Sequence, residues 1–229
     1  MNPIGISAIQ EFHEEHKAIY VENNGWMVPN KYPSINNSIN VIEQSVGIHD
    51  ISSYGKIILN GDNIVETLKL NFKFTSSLTE QVRFMQSIDY DFTLLLGELT
   101  KNEYFILVDR LHKMKLMEII KNSSEKSIYS VDVTSGLTGI RLIGPMASEV
   151  IASVSSFDIR KKHFSNMSVA QISLMEIHAY LFRIDIQNQQ CYDIFVSRDI
   201  GLFVWNELIN SGKNFGITPF GVEVMNKLT

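Results

Sequence analysis

Cysteine is nearly absent: Cys191 stands alone among 229 residues, which excludes an internal disulfide framework and fits a reducing compartment. Missing too is any apolar run approaching the roughly 18 residues of a membrane span. The N-terminus carries no basic, apolar, small-residue signal pattern. A cytoplasmic chain without a membrane partner is the expectation. Positive charge is in short supply, the net charge being −5, which speaks against broad attraction to nucleic acid or anionic lipid. The one dense basic run, Arg160-Lys161-Lys162-His163, reads as a solvated loop or as a local anion or partner contact. Gly136 and Gly139 are too few for a phosphate loop or a dinucleotide fingerprint. What is present is an ordinary globular composition, 45% hydrophobic and 20% charged. Its length suits one large domain or two packed lobes.

Periodicity predicts an amphipathic helix over Ser7 to Tyr20, with Ile9, Phe12 and Ile19 on its apolar side, and a second over Ile35 to Val46 ending at Gly47. Between them, Asn23-Asn24-Gly25 and Val28-Pro29-Asn30 read as an irregular connection. Lys56 to Leu59 reads as a strand closing at Asn60-Gly61-Asp62, with Asp62 or Asn63 capping a helix through Leu70. A meander follows over Val82 to Ile88, Phe92 to Leu96 and Tyr104 to Val108, then a helix from Arg110 to Lys121. The second half repeats the pattern. Strands at Ile128 to Val133 and Thr138 to Ile143 lead through Gly144-Pro145 into a helix to Ser153, since proline suits a first helical turn. Strands at Val169 to Met175, Ala179 to Ile186 and Tyr192 to Val196 precede a helix at Asp199 to Ile209. The expected fold is α+β, two similar lobes of mainly antiparallel sheet meeting near residue 127, with Asn60-Gly61-Asp62 matching Ile143-Gly144-Pro145 in role.

Isolated candidates carry less. His13 and His16 lie three apart and read as a metal pair without a signalled third ligand, or as a solvated face. His49 beside Asp50 reads as acid–base chemistry or as a strand-entrance position, Cys191 lacks an activating histidine, and Met114, Leu116, Met117 and Ile120 read as core.

Four segments carry a family resemblance. They are Gly25-Trp26-Met27-Val28-Pro29 with Tyr32, Val46-Gly47-Ile48-His49-Asp50-Ile51-Ser52-Ser53-Tyr54-Gly55-Lys56, Asp132-Val133-Thr134-Ser135 leading to Leu142-Ile143-Gly144-Pro145, and Gly216-Ile217-Thr218-Pro219-Phe220-Gly221. In this order they resemble the folate-binding aminomethyltransferase family, whose best-known member is the T-protein of glycine cleavage. The third segment is similar to the folate domains of sarcosine and dimethylglycine dehydrogenases. The family's further C-terminal β domain is expected to be missing here.

The resemblance implies tetrahydrofolate as cofactor, held in a cleft between lobes by Asp91, Asp193, Arg183 and Tyr192. Asp91-Phe92-Thr93 is similar to the family's strand-entrance Asp-x-Thr, although Gln86 and Ser87 replace its two glycines. A carboxylate there orients an amine and stabilises positive charge on a one-carbon adduct; alternatively Asp89 and Asp91 flank an exposed strand with Tyr90 facing inward. Registering Arg183 on the family's Arg-x-Gly-Tyr-x-Gly-Glu-x-Gly-x-Glu motif places Asn188 and Gln189 on Gly-Glu, Cys191 on the next Gly and Asp193 on the final Glu, the acid that the resemblance pairs with the pterin. The other reading makes Asp193 a solvated strand residue. Met225 falls where the family supplies an arginine, and Thr229 where a second is usual; methionine brings neither charge nor forked donor. Two functions follow from the resemblance: one-carbon transfer from an amine donor to tetrahydrofolate, or a non-catalytic small subunit beside a flavoprotein, as in heterotetrameric sarcosine oxidase.

Overall fold

The computed structural model describes residues 4–33, 35, 39–123 and 128–228. The elements run β1 (Gly5–Ile6), α1 (Gln10–Glu15), β2 (Ile19–Asn23), β3 (Trp26–Lys31), α2 (Ile39–Gln44), β4 (Val46–Asp50), β5 (Gly55–Gly61), α3 (Ile64–Lys69) and β6 (Phe72–Phe74). Then come β7 (Val82–Ser87), β8 (Thr93–Thr100), β9 (Glu103–Val108), α4 (Arg110–Ser123), β10 (Ile128–Asp132), β11 (Leu137–Ile143) and α5 (Ala147–Val154). The last are β12 (Ser168–Leu174), β13 (Ile177–Arg183), β14 (Cys191–Ser197), α6 (Gly201–Gly212), β15 (Ile217–Pro219) and α7 (Val222–Leu228).

The chain divides into two compact units that interleave in sequence: Met1–Ser53, Gly136–Asn166 and Gln171–Thr229 form the first, Tyr54–Ser135 and Met167–Ala170 the second. This differs from consecutive halves meeting near residue 127. The first unit holds a small sheet in the order β1-β3-β2 and a six-stranded sheet in the order β12-β13-β14-β11-β4-β15; the second holds a six-stranded sheet in the order β10-β5-β9-β8-β7-β6. Among the described residues most pairings are antiparallel, as β11 with β14 and β5 with β9, while β1 with β3 and β15 with β4 are parallel. The α+β class with mainly antiparallel sheets is therefore what this sequence builds.

An internal repeat underlies the large sheets. Strand, glycine, helix and meander recur as β5-α3-β7-β8-β9 and β11-α5-β12-β13-β14, with the same neighbour order, β5-β9-β8-β7 and β11-β14-β13-β12. Gly61 and Gly144 end the leading strands at φ +148° and +128°, a turn that side chains resist. The strand that precedes each repeat pairs with the other repeat: β4 lies against β11, and β10 against β5. That exchange is why the units interleave. Two matching clasps hold it. The Ser52 hydroxyl accepts from Gly139 N at 3.1 Å, and that of Thr134 accepts from Lys56 N at 3.0 Å. Asp50 and Asp132 each accept from the backbone N–H two residues on, at 2.8 and 2.9 Å.

Several local expectations are revised. The helix expected to reach Tyr20 stops at Glu15; Lys17 takes φ +53°, and Ile19, Tyr20 and Val21 join β2, as β-branched and aromatic residues favour. The irregular connection at Asn24-Gly25 is a two-residue hairpin turn, both residues at positive φ, between β2 and β3. The second helix covers Ile39–Gln44, and Val46 already pairs with Ile217 in a sheet; residues 36–38 lie outside the described residues. Asn63 stands at the start of α3 in a left-handed conformation without a side-chain cap, while Asp62 accepts from Asn102. Met114 is exposed, unlike Leu116 and Ile120, which pack in the second unit's core with Ile57, Leu59 and Ile106.

Candidate functional site

In β11, strand alternation sends Ile140 and Leu142 to one face and Arg141 to the other. Arg141 lies directly across from Asp193 on β14 and from His49 on β4. Its Nε and Nη2 donate to the two Asp193 carboxylate oxygens, each at 2.6 Å, in the forked geometry that makes guanidinium–carboxylate pairs strong. Asp193 is 2% exposed, so it is no solvated strand residue. Arg141 Nη1 comes to 3.8 Å from Met225 Sδ, which brings a guanidinium to the neighbourhood of the residue standing where an arginine was expected. His49 donates from Nδ1 to the carbonyl oxygen of Phe220 at 2.9 Å and stacks on its ring. Burial, with the Arg141 charge, brings the His49 imidazole down to about 4.

Arg183 and Tyr192 belong to a neighbouring arrangement. The Arg183 guanidinium donates from Nε and Nη2 to Asp185, at 3.0 and 3.1 Å, and from Nη1 to the carbonyl oxygen of Phe164 at 2.7 Å. Its centre lies 5.5 Å from the Tyr192 ring, a cation–π contact. The Tyr192 hydroxyl donates to Gln190 at 3.0 Å, and burial raises that phenol to about 12. The loop before β14 carries Gln187 and Asn188 at positive φ without the glycines that would make this cheap. Cys191 is buried and its thiol pushed up by that burial, the reverse of an activated nucleophile.

Asp91 belongs to the second unit, in the turn before β8. Its carboxylate is exposed and has no hydrogen-bond or ion-pair partner among the described residues. Tyr90 does not face inward: it is 43% exposed, with the Lys115 ammonium 4.6 Å from its ring centroid. Phe92 is the inward residue, stacked on His112 at 4.9 Å. The structure thus brings Arg141 to Asp193 and Arg183 to Tyr192 in the first unit, with Asp91 in the other.

A second polar cluster was not legible as such. His13, expected on a solvated face, is 1% exposed: its Nε2 donates to Asp50 at 2.9 Å, and its Nδ1 faces the Tyr32 hydroxyl at 2.8 Å. Burial opposes ionisation of Asp50, but the hydrogen bonds from His13 and Ser52 outweigh it and bring the carboxyl to about 2. His16 stacks on Phe12 instead. Among the described residues no group of His, Cys, Asp and Glu side chains could hold a metal ion, and no helix is long and apolar enough to cross a membrane.

Known proteins bear on this arrangement. The GCVT N-terminal domain family matches residues 9–229. An aminomethyltransferase of Halothermothrix orenii is 24% identical over 218 residues, covering 93% of this chain and 60% of the relative. Sarcosine oxidase subunit alpha of Corynebacterium sp. is 26% identical over 255 residues, covering all of this chain and 26% of the relative. The chain thus spans less than two thirds of either relative's length. The solved glycine cleavage system aminomethyltransferase T of Bartonella henselae superposes with a TM-score of 0.82 at 16% identity, over 98% of this chain and 62% of that one, which shows the fold. With a family match across nearly its whole length and that architecture, the chain belongs to the GCVT N-terminal domain family, in company with aminomethyltransferases and a sarcosine oxidase subunit.

Proposed function

We propose that the chain is a folate-binding domain of aminomethyltransferase type, working in one-carbon metabolism and transferring a one-carbon unit from an amine donor to tetrahydrofolate. The observation that carries this is Asp91: an exposed carboxylate, unpartnered among the described residues, at the strand-entrance position that the family resemblance singles out. Asp91 holds and orients an amine and offsets positive charge as it develops, which an ordinary ionised carboxylate does without special acidity. In the first unit, Asp193, paired with Arg141, is the acid assigned to the pterin by the resemblance, and Arg183 and Tyr192 make the neighbouring cation–π pair. When bound, the reduced folate supplies the nitrogens that accept the one-carbon unit. Calorimetry with tetrahydrofolate on wild type and Asp91→Asn tests this reading. Binding to wild type that weakens at least about tenfold in the variant is expected, the scale of a lost charge-assisted hydrogen bond; equal or absent binding in both removes Asp91 from the role.

One observation favours a second reading, a non-catalytic subunit of a multi-subunit amine oxidase. Asp193 is 2% exposed and each of its oxygens already accepts from Arg141, and position 225 is a methionine, so the carboxylate is buried and committed to a partner within the chain, as a structural ion pair is. Co-purification of a flavoprotein after mild lysis supports that reading, and a lone monomer that turns over a folate substrate ends it.

A further inference from the structure

A cavity of about 230 Å³ opens in the first unit beside α1, lined from β1, β2 and β3 as well as the helix. None of its residues is used in the folate reading, and the inference does not rest on that reading. The His13–Asp50–Tyr32 cluster stands behind one wall through His13. Tyr20 lines the cavity, and its hydroxyl is buried without a hydrogen-bond partner among the described residues. A buried hydroxyl left so costs stability that a pairing ligand returns. Glu14 is the acidic lining residue, with Gln10 donating to its carboxylate. Burial raises the Tyr20 phenol to about 12, and the negative charges of Glu14 and Asp50 add to this, so both carboxylates are felt at the hydroxyl. Arg198 donates to the carbonyl oxygen of Ile6 at 2.8 Å but does not line the cavity. Ile6 and Met27 supply apolar surface.

We propose that this cavity binds a small protonated amine, its N–H groups donating to the Tyr20 hydroxyl and the Glu14 carboxylate and its alkyl part lying against Ile6 and Met27. The test is an NMR titration of the isotope-labelled full chain with n-propylammonium, with n-propanol as the neutral probe of the same shape. Saturable shifts confined to residues 6–27 are expected with the ammonium and not with the alcohol. Tyr20→Phe should weaken binding about fivefold, the scale of one neutral hydrogen bond. Glu14→Gln, an exposed change that leaves the packing alone, should weaken it about threefold, the scale of a solvated charge pair. An equal response to n-propanol overturns the choice of a cation. Absence of saturable binding, or binding that neither variant weakens, overturns the site.

Discussion

The two large sheets share a plan, and one row of side chains contrasts buried charge with apolar packing. In the second unit, Val131, Ile58 and Phe105 lie abreast on β10, β5 and β9. In the first unit the corresponding positions on β4, β11 and β14 are His49, Arg141 and Asp193. The correspondence follows from the clasps, which equate Ser52 with Thr134 and Lys56 with Gly139. The plan accepts an all-apolar row, so the charged one is not something folding requires. Burying a guanidinium and a carboxylate side by side roughly breaks even against hydrophobic packing, whereas removing one partner leaves a buried charge uncompensated. The polar row is therefore the feature of the first unit most in need of a functional reason.

The comparison can be broken most forcefully at that pair. Arg141→Ala or Asp193→Ala alone should lower stability by about 3–5 kcal/mol in urea unfolding. Arg141→Ile with Asp193→Val replaces the pair by apolar side chains, as in the second unit's row, at similar total volume and should recover most of that loss, and with it abolish any tetrahydrofolate binding. A double variant as unstable as the singles would mean that the sheets are not equivalent.

His49 supplies the next largest effect. Its folded value of about 4 lies below its ordinary 6.5, so the unfolded chain takes up a proton first as the solution is acidified. The stability it contributes is complete above pH 6.5 and falls by about 3 kcal/mol as pH drops toward 4. Asp50 is shifted down as well, from 3.8 to about 2, and adds a further loss between those values. His49→Gln keeps a donor for the Phe220 carbonyl but cannot titrate, so unfolding followed from pH 7 to 4.5 should show a flatter slope. Val131 carries no such charge, and Val131→Ala should leave the slope unchanged.

A smaller difference is expected at the paired glycines. A Cβ on Gly144 would lie 2.5 Å from the carbonyl oxygen of Ser45, on top of its positive φ, so Gly144→Ala should cost well over about 1 kcal/mol. Gly61→Ala carries a backbone penalty of the same kind, since Gly61 also takes a positive φ, and should be destabilising too. Smallest are the clasps. Ser52→Ala and Thr134→Ala each leave a backbone N–H without its acceptor and should each lower the midpoint of thermal unfolding by a similar amount, about 1 kcal/mol in free energy. Unequal losses would show that the exchange of strands is held mainly from one side.

The repeat was legible because its signals are local. Ile57 and Leu59 alternate as a strand should, Gly61 and Gly144 break that alternation where a helix begins, and α4 runs for several turns with its apolar side intact. The hairpin at Asn24-Gly25 was equally local and was misread: Asn-Gly between Ile19-Tyr20-Val21 and Trp26-Met27-Val28 is a strong turn signal. At the site, Asp91 and Asp193 came from motif resemblance and Arg141 did not emerge, while His13, Asp50 and Tyr32 were each noticed separately but never as one cluster. The partners Arg141 and Asp193 are 52 residues apart, and His13 and Asp50 are 37 apart. No window of sequence contains either pair.

From the sequence alone came the element alphabet, the antiparallel α+β class, the glycine turns and the family, because each depends on neighbours along the chain or on a short motif. Only tertiary structure decided that β4 and β10 change places, that Asp193 is held by Arg141, and that His13 is buried against Asp50. Cross-strand pairing and burial are set by which faces meet in space, and that choice is made by the whole core at once.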